Sequence, residues 1–217
     1  AIEEALLRVS IPYRIYGGLR FYERLEIKNA IAYLRVIFNN NDNPSFERSI
    51  SNPTRGVGEK TLAKIRHTAK QYNISYIKAS AKLIDEGSIS GRGGSGLRDY
   101  LEFIAGCKSF IEENLLSELM ELIIKESGLY AYHGKEPGEK GKTRTENLEE
   151  LITATKNFEQ SIKEDKSNVE VAENYLDIIS LDSGERQASE HDDAAQLMTM
   201  HSAKGLEFKL VLLTGLE

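Results

Sequence analysis

Residues 196–213 read QLMTMHSAKGLEFKLVLL. Two apolar runs, LMTM and KLVLL, flank a turn in which His201, Ser202, Lys204 and Glu207 stand within seven residues. Each run has the length of one buried strand, so the stretch predicts strand, loop, strand. A loop leaving the carboxyl end of a buried strand is fixed at its root, and its side chains can be aimed at a ligand in the crevice there. Gly205 permits a positive φ or a close backbone approach. An ordinary strand connection with surface charges has the same spacing, so spacing alone leaves both readings open.

The opposite end has similar character. Ile2, Ala5, Leu6 and Val9 recur at helical spacing, Pro12 stops the pattern, and Tyr13 to Tyr16 alternate as a short strand before Gly17-Gly18. The middle shows almost no strand pattern, which suggests a helical insertion between α/β ends. With 217 residues, 40% of them hydrophobic and 29% charged, the chain can bury a sizeable core. The formal charge of −6 means that affinity for a polyanion must come from a local basic patch. Cys107 is the one cysteine, which precludes an intramolecular disulfide and a thiolate metal cluster and fits a reducing, cytoplasmic compartment. No metal site is expected. No apolar run approaches the roughly 20 residues that span a bilayer, so no membrane partner is expected. The chain opens within a helical pattern without an initiator Met, and the expectation is a piece of a longer protein.

Working inward, Ile27, Ala30, Ile31, Leu34, Ile37 and Phe38 predict one apolar face of a helix over 24–39, followed by the turn-rich NNNDNPS. Then comes TRGVGEKTLAKIRHTAK, residues 54–70, where Gly56-Val57-Gly58 makes a tight turn before a helix with Leu62, Ile65, Ala69 and Tyr72 on one face. A helix start offers free N–H groups and a positive dipole end to an anion. Five basic residues here, Arg55, Lys60, Lys64, Arg66 and Lys70, face one acid, Glu59. The plain alternative is a helix cap with a solvated basic face.

Two glycine motifs are rejected as nucleotide sites. GRGGSG, residues 91–96, matches G-x-G-x-x-G without the preceding strand and reads as a flexible linker. Gly141-Lys142-Thr143 imitates the end of a Walker A loop, but Glu136 stands where the first glycine belongs, and HGKEPGEKGKT reads as a surface connection. Helices are predicted over 97–114, 111–126, around TRTENLEELITATKNF (143–158), and over 169–180. Residues 182–193, with five acids against Arg186, read as a solvated linker.

Four of these stretches together resemble the UvrD/Rep family of superfamily 1 DNA helicases. TMHSAKGLEF, residues 199–208, before an apolar strand is similar to the THSAKGLEF-like motif V, with Met200 in a hydrophobic slot. GGLRFYERLEIKNAIAYLR resembles motif IVa, with Asn29 in place of the usual Asp. TRGVG resembles the TRGIG motif of the 2B subdomain, and TRTENLEEL its RxxNLEEL helix.

The resemblance implies a mainly α fold: an all-helical inserted 2B subdomain over 18–190, flanked by small α/β, RecA-like segments at 1–17 and 191–217. It implies that Thr199, His201 and Lys204 approach single-stranded DNA and that Gly205 and Glu207 approach the nucleotide. Thr54, Arg55, Gly56, Val57, Gly58 and Thr61 become candidate duplex contacts, with Lys60 and Lys64 added from charge. The implied activity is ATP-dependent, Mg²⁺-dependent DNA unwinding with 3′ to 5′ translocation by the full-length protein. Its partners are single-stranded and duplex DNA and the remaining motor domains. With no Walker A or Walker B sequence, this fragment is expected to hold no cofactor, to contain no catalytic residue and to be inactive alone. The alternative is a non-enzymatic module of helix-hairpin-helix type that binds DNA, or a regulatory one that contacts proteins.

Overall fold

Tyr13–Tyr16 (β1) and Ala195–Met198 (β2) lie side by side as parallel strands, with Tyr13 opposite Ala195 and Tyr16 opposite Met198. Parallel neighbours require a crossover, and here the helical body between them supplies it. The computed structural model describes residues 2, 5, 6, 9, 11–16, 21–162, 166–184, 194–198, 200 and 203–214. Among these the chain is mainly α, as expected. A 3₁₀ turn at Phe21–Glu23 precedes α1 (Leu25–Phe38), α2 (Asn43–Ser51), α3 (Glu59–Tyr72), α4 (Tyr76–Asp85) and α5 (Gly91–Glu113). Then follow α6 (Leu116–Glu126), α7 (Leu129–Gly134), α8 (Glu139–Ser161) and α9 (Asn168–Gly184). No helix among the described residues is long and apolar enough to cross a membrane.

Helix α1 is the axis of the body. It packs against α2, α5, α6, α7 and α8, and burial extends beyond the one face read from its sequence to Glu26, Asn29, Tyr33 and Val36. A helix surrounded by neighbours has to satisfy its polar groups internally. Glu26 Oε1 accepts from Asn147 Nδ2 of α8 at 2.6 Å, and Asn147 Oδ1 accepts from Arg24 Nη1 at 2.6 Å. Arg144 adds an ion pair to Glu26 at 3.5 Å and a contact to Glu136, which also accepts from His133 Nδ1 at 2.9 Å. Asn29 Oδ1 accepts from Arg48 at 3.1 Å, but its buried Nδ2 has no protein partner.

Three expectations are corrected. KLVLL forms no strand: none of the described residues 203–214 is in one, and Leu210, Val211, Leu212 and Leu213 are 76, 60, 80 and 61% exposed. A buried strand needs hydrogen-bonded neighbours, and among the described strands β2 pairs only with β1. GRGGSG is not a linker but the first turns of α5. HGKEPGEKGKT is only briefly irregular, because α8 already starts at Glu139 and so contains Gly141-Lys142-Thr143. A Cβ on Gly141 would stand 2.3 Å from the Glu136 carbonyl oxygen, so a glycine lets the helix start close against the preceding turn. The linker read over 182–193 lies mostly outside the described residues; its first three, 182–184, end α9.

Candidate nucleic-acid interface

The chain leading into the 54–58 turn is held by two aromatic hydroxyls and one guanidinium. Tyr33 Oη donates to the carbonyls of Ser49 and Asn52, at 2.7 and 2.9 Å. Burial pushes its phenol up to about 12, so it stays a donor at physiological pH. Tyr100 Oη and Ser49 Oγ share a hydrogen bond of 2.6 Å. Arg55 Nη1 donates to the carbonyls of Ser49 (3.2 Å) and Pro53 (2.9 Å), and Nη2 donates to that of Ser127 (2.8 Å). The guanidinium also lies 5.4 and 5.5 Å from the ring centroids of Tyr33 and Tyr100. Arg55, expected as a phosphate contact, thus directs its guanidinium to backbone carbonyls. A planar fork with several donors satisfies carbonyls converging from different loops, a task for which an ammonium is poorly shaped.

Above this platform the turn presents backbone and short side chains. Thr54, Gly56, Gly58 and Lys60 are exposed, while Val57 packs its side chain against the core and Thr61 is half-buried. Gly56 takes φ +75°, in the left-handed region that glycine adopts freely. Helices α2 and α4 are capped by Asp42 and Ser75 side chains, whereas α3 begins at Gly58 with no side-chain cap. The Glu59 and Lys60 amides of its first turn remain available to an outside acceptor, while that of Thr61 already donates to the Gly58 carbonyl at 2.9 Å.

The five-to-one basic count thins out when partners are assigned. Arg55 faces inward. Arg66 is held by Glu47 at 2.6 and 2.7 Å and by Glu59 at 2.5 Å. Lys60 and Lys70 remain exposed, and Lys64, also exposed, donates to the Ser88 carbonyl at 3.2 Å. Helix α5 restores one cation. Gly93 and Gly96 lie against the turn, where Cβ atoms would stand 3.0 Å from the Gly56 carbonyl oxygen and 2.0 Å from that of Arg55. This packing brings exposed Arg92 across Gly56. Sequence reading left Arg92 in a linker; its signal was an arginine among glycines that permit backbone contact.

Of the loop after β2, Lys204, Gly205 and Glu207 are exposed and Gly205 takes φ +85°. Thr199 and His201 lie outside the described residues. Gly205 and Glu207 sit on an open turn, the described residues contain no group of three His, Cys, Asp or Glu able to hold a metal ion, and Gly141-Lys142-Thr143 lies inside α8.

The model of the UvrD-like helicase C-terminal domain family matches residues 1–90 and 96–217. DNA helicase II of Escherichia coli (strain K12) is 45% identical over 216 residues, which cover 100% of this chain and 30% of that protein. DNA helicase II of Haemophilus influenzae is 46% identical over 218 residues, covering 100% of the chain and 29% of the relative. The ATP-dependent DNA helicase PcrA of Bacillus subtilis is 36% identical over 218 residues, again 100% and 29%. The chain spans about 30% of the length of these relatives. With a family match over nearly its whole length, the chain belongs to the UvrD-like helicase C-terminal domain family.

Proposed function

We propose that the chain is part of an ATP-dependent DNA helicase in which residues 18–190 form a 2B subdomain inserted into the second RecA-like motor domain. Residues 1–17 and 191–217 are the flanking pieces of that motor. The observation that carries the reading is the parallel pairing of β1 with β2 around a helical body that presents an uncapped, lysine-bearing helix start. The names of the relatives, DNA helicase II and ATP-dependent DNA helicase PcrA, support it. In the whole protein, working in the cytoplasm, hydrolysis of ATP with Mg²⁺ supplies the free energy for 3′ to 5′ movement along a single strand.

The chain's own residues have three tasks in that motor. Gly56, Gly58, Lys60, Thr61 and Lys64, with Thr54 at the edge and Val57 anchoring the turn, rest on the phosphates of the duplex ahead. Thr199, His201 and Lys204 face the single strand. Gly205 and Glu207 touch the nucleotide edge. The chain by itself turns over no ATP. The test compares ATP hydrolysis, with and without single-stranded DNA, by this chain and by the full-length protein. Turnover is expected only from the latter, and DNA-stimulated turnover by the chain alone overturns the assignment.

A further inference from the structure

The 54–58 turn carries an arginine whose guanidinium is spent on backbone carbonyls, and it is crossed by another, from α5, whose guanidinium is not. Arg55 spends Nη1 and Nη2 on three carbonyls. Arg92 is exposed and makes no hydrogen bond or ion pair among the described residues, and its side-chain stem lies over Gly56, where an added Cβ would meet its Cγ at 2.9 Å. Beside it opens a cleft of about 280 Å³, lined by Thr54, Arg55, Arg92, Ser95, Gly96 and Asp99. The cleft is held in shape by backbone contact, since Gly93 and Gly96 seat α5 directly on the Gly56 and Arg55 carbonyls.

We infer that Arg92, not Arg55, is the guanidinium that meets a duplex phosphate at this turn, with the Ser95 hydroxyl as a second donor in the same cleft. Arg55 is a positioning residue: it fixes the turn on which Arg92 lies. The phosphate path then runs from the α3 start, at Gly58 and Lys60, across Gly56 to the α5 start. Asp99 on the cleft wall repels a phosphate and marks where the path ends. Recognition of this kind reads the backbone and no base, so binding is independent of sequence and steeply dependent on salt. The inference rests on the duplex-contact reading proposed above.

The test measures binding of this chain to a fluorescein-labelled duplex by anisotropy over a salt series, for wild type, Arg92→Gln and Lys60→Gln. Thermal unfolding of each variant is recorded alongside. Each lost phosphate contact is expected to flatten the slope of log K against log salt by about 0.9. Arg92→Gln is expected to show that change with an unaltered melting midpoint, because its head group is solvated. A wild-type slope in Arg92→Gln beside a reduced slope in Lys60→Gln overturns the inference and leaves the duplex reading intact. Wild-type slopes in both variants, or no binding by the wild-type chain, overturn both. A second duplex of different sequence is expected to bind equally, and a marked preference overturns the backbone-only recognition.

Discussion

The carbonyl oxygen of Arg55 occupies the space a side chain on Gly96 would need: an ideal Cβ there stands 2.0 Å from it. The obstacle is backbone on a turn that Arg55 itself fixes, so it cannot rotate aside as the tip of a flexible side chain could. Gly96→Ala is expected to destabilise the chain by about 1–3 kcal/mol, the usual cost of overpacking, and to weaken duplex binding by displacing the turn. Urea unfolding followed by circular dichroism measures the first and anisotropy the second. Wild-type stability in the variant contradicts the close seating of α5.

Removing the Arg55 guanidinium leaves three carbonyls without their charged donor. Arg55→Ala is expected to cost about 2–4 kcal/mol, since hydrogen bonds to charged groups contribute roughly 1.5–3 kcal/mol each and some loss is relieved by water. Arg55→Lys should recover only part, because one ammonium cannot reach carbonyls on separate loops. At a temperature where the variant is folded, the salt slope of its duplex binding is expected to equal that of wild type. A flattened slope returns Arg55 to the list of phosphate contacts.

Asn29 is wholly buried and satisfies Arg48 with its oxygen while leaving Nδ2 unpartnered. Asn29→Asp replaces the orphaned donor with an oxygen and turns a hydrogen bond from a charged donor to a neutral acceptor into an ion pair with Arg48. The gain from pairing with Arg48, at 3.1 Å, is expected to outweigh the added desolvation. The expected result is stabilisation by about 1 kcal/mol at neutral pH, fading as acid protonates the new carboxyl. Destabilisation at neutral pH sinks the idea.

Hydrogen bonds from His133 first, and then from Arg144, hold the Glu136 carboxyl below its ordinary value of 4.5. A carboxyl whose folded value lies below its unfolded one stabilises the fold above the unfolded value. That contribution is lost as pH falls through the folded value. Glu136→Gln should therefore lower stability at neutral pH, with the difference from wild type shrinking below about pH 4.5. Denaturant midpoints recorded across the acid limb check this, and a difference constant with pH is the contrary outcome.

Much of the helical body was legible because its apolar stripes repeat at helical spacing: α1, α3, α6 and α9 fall close to where Ile27, Leu62, Leu119 and Tyr175 and their neighbours place them. Glycine misled where it served contact rather than chain reversal. Gly91 to Gly96 and Gly141 look like linker residues in sequence, and only packing reveals that they lie in the first turns of α5 and α8. The basic window at 54–70 was visible as charge, but the sequence could not show that Arg66 is neutralised by Glu47 and Glu59 or that Arg55 stacks on Tyr33 and Tyr100. Apart from Glu59, which lies in the same window, these partners come from other parts of the chain and leave no local pattern. KLVLL shows the converse: its apolar run reads as a strand, yet strand formation depends on neighbours that the described residues do not supply.

The most direct measurement is the salt dependence of duplex binding by the Lys60→Gln/Lys64→Gln double variant. If the α3 start rests on duplex phosphates, the slope of log K against log salt flattens by about 1–2, close to 0.9 for each contact removed, while secondary structure and melting midpoint are retained. An unchanged slope in a folded variant contradicts the assignment of duplex contact to this surface.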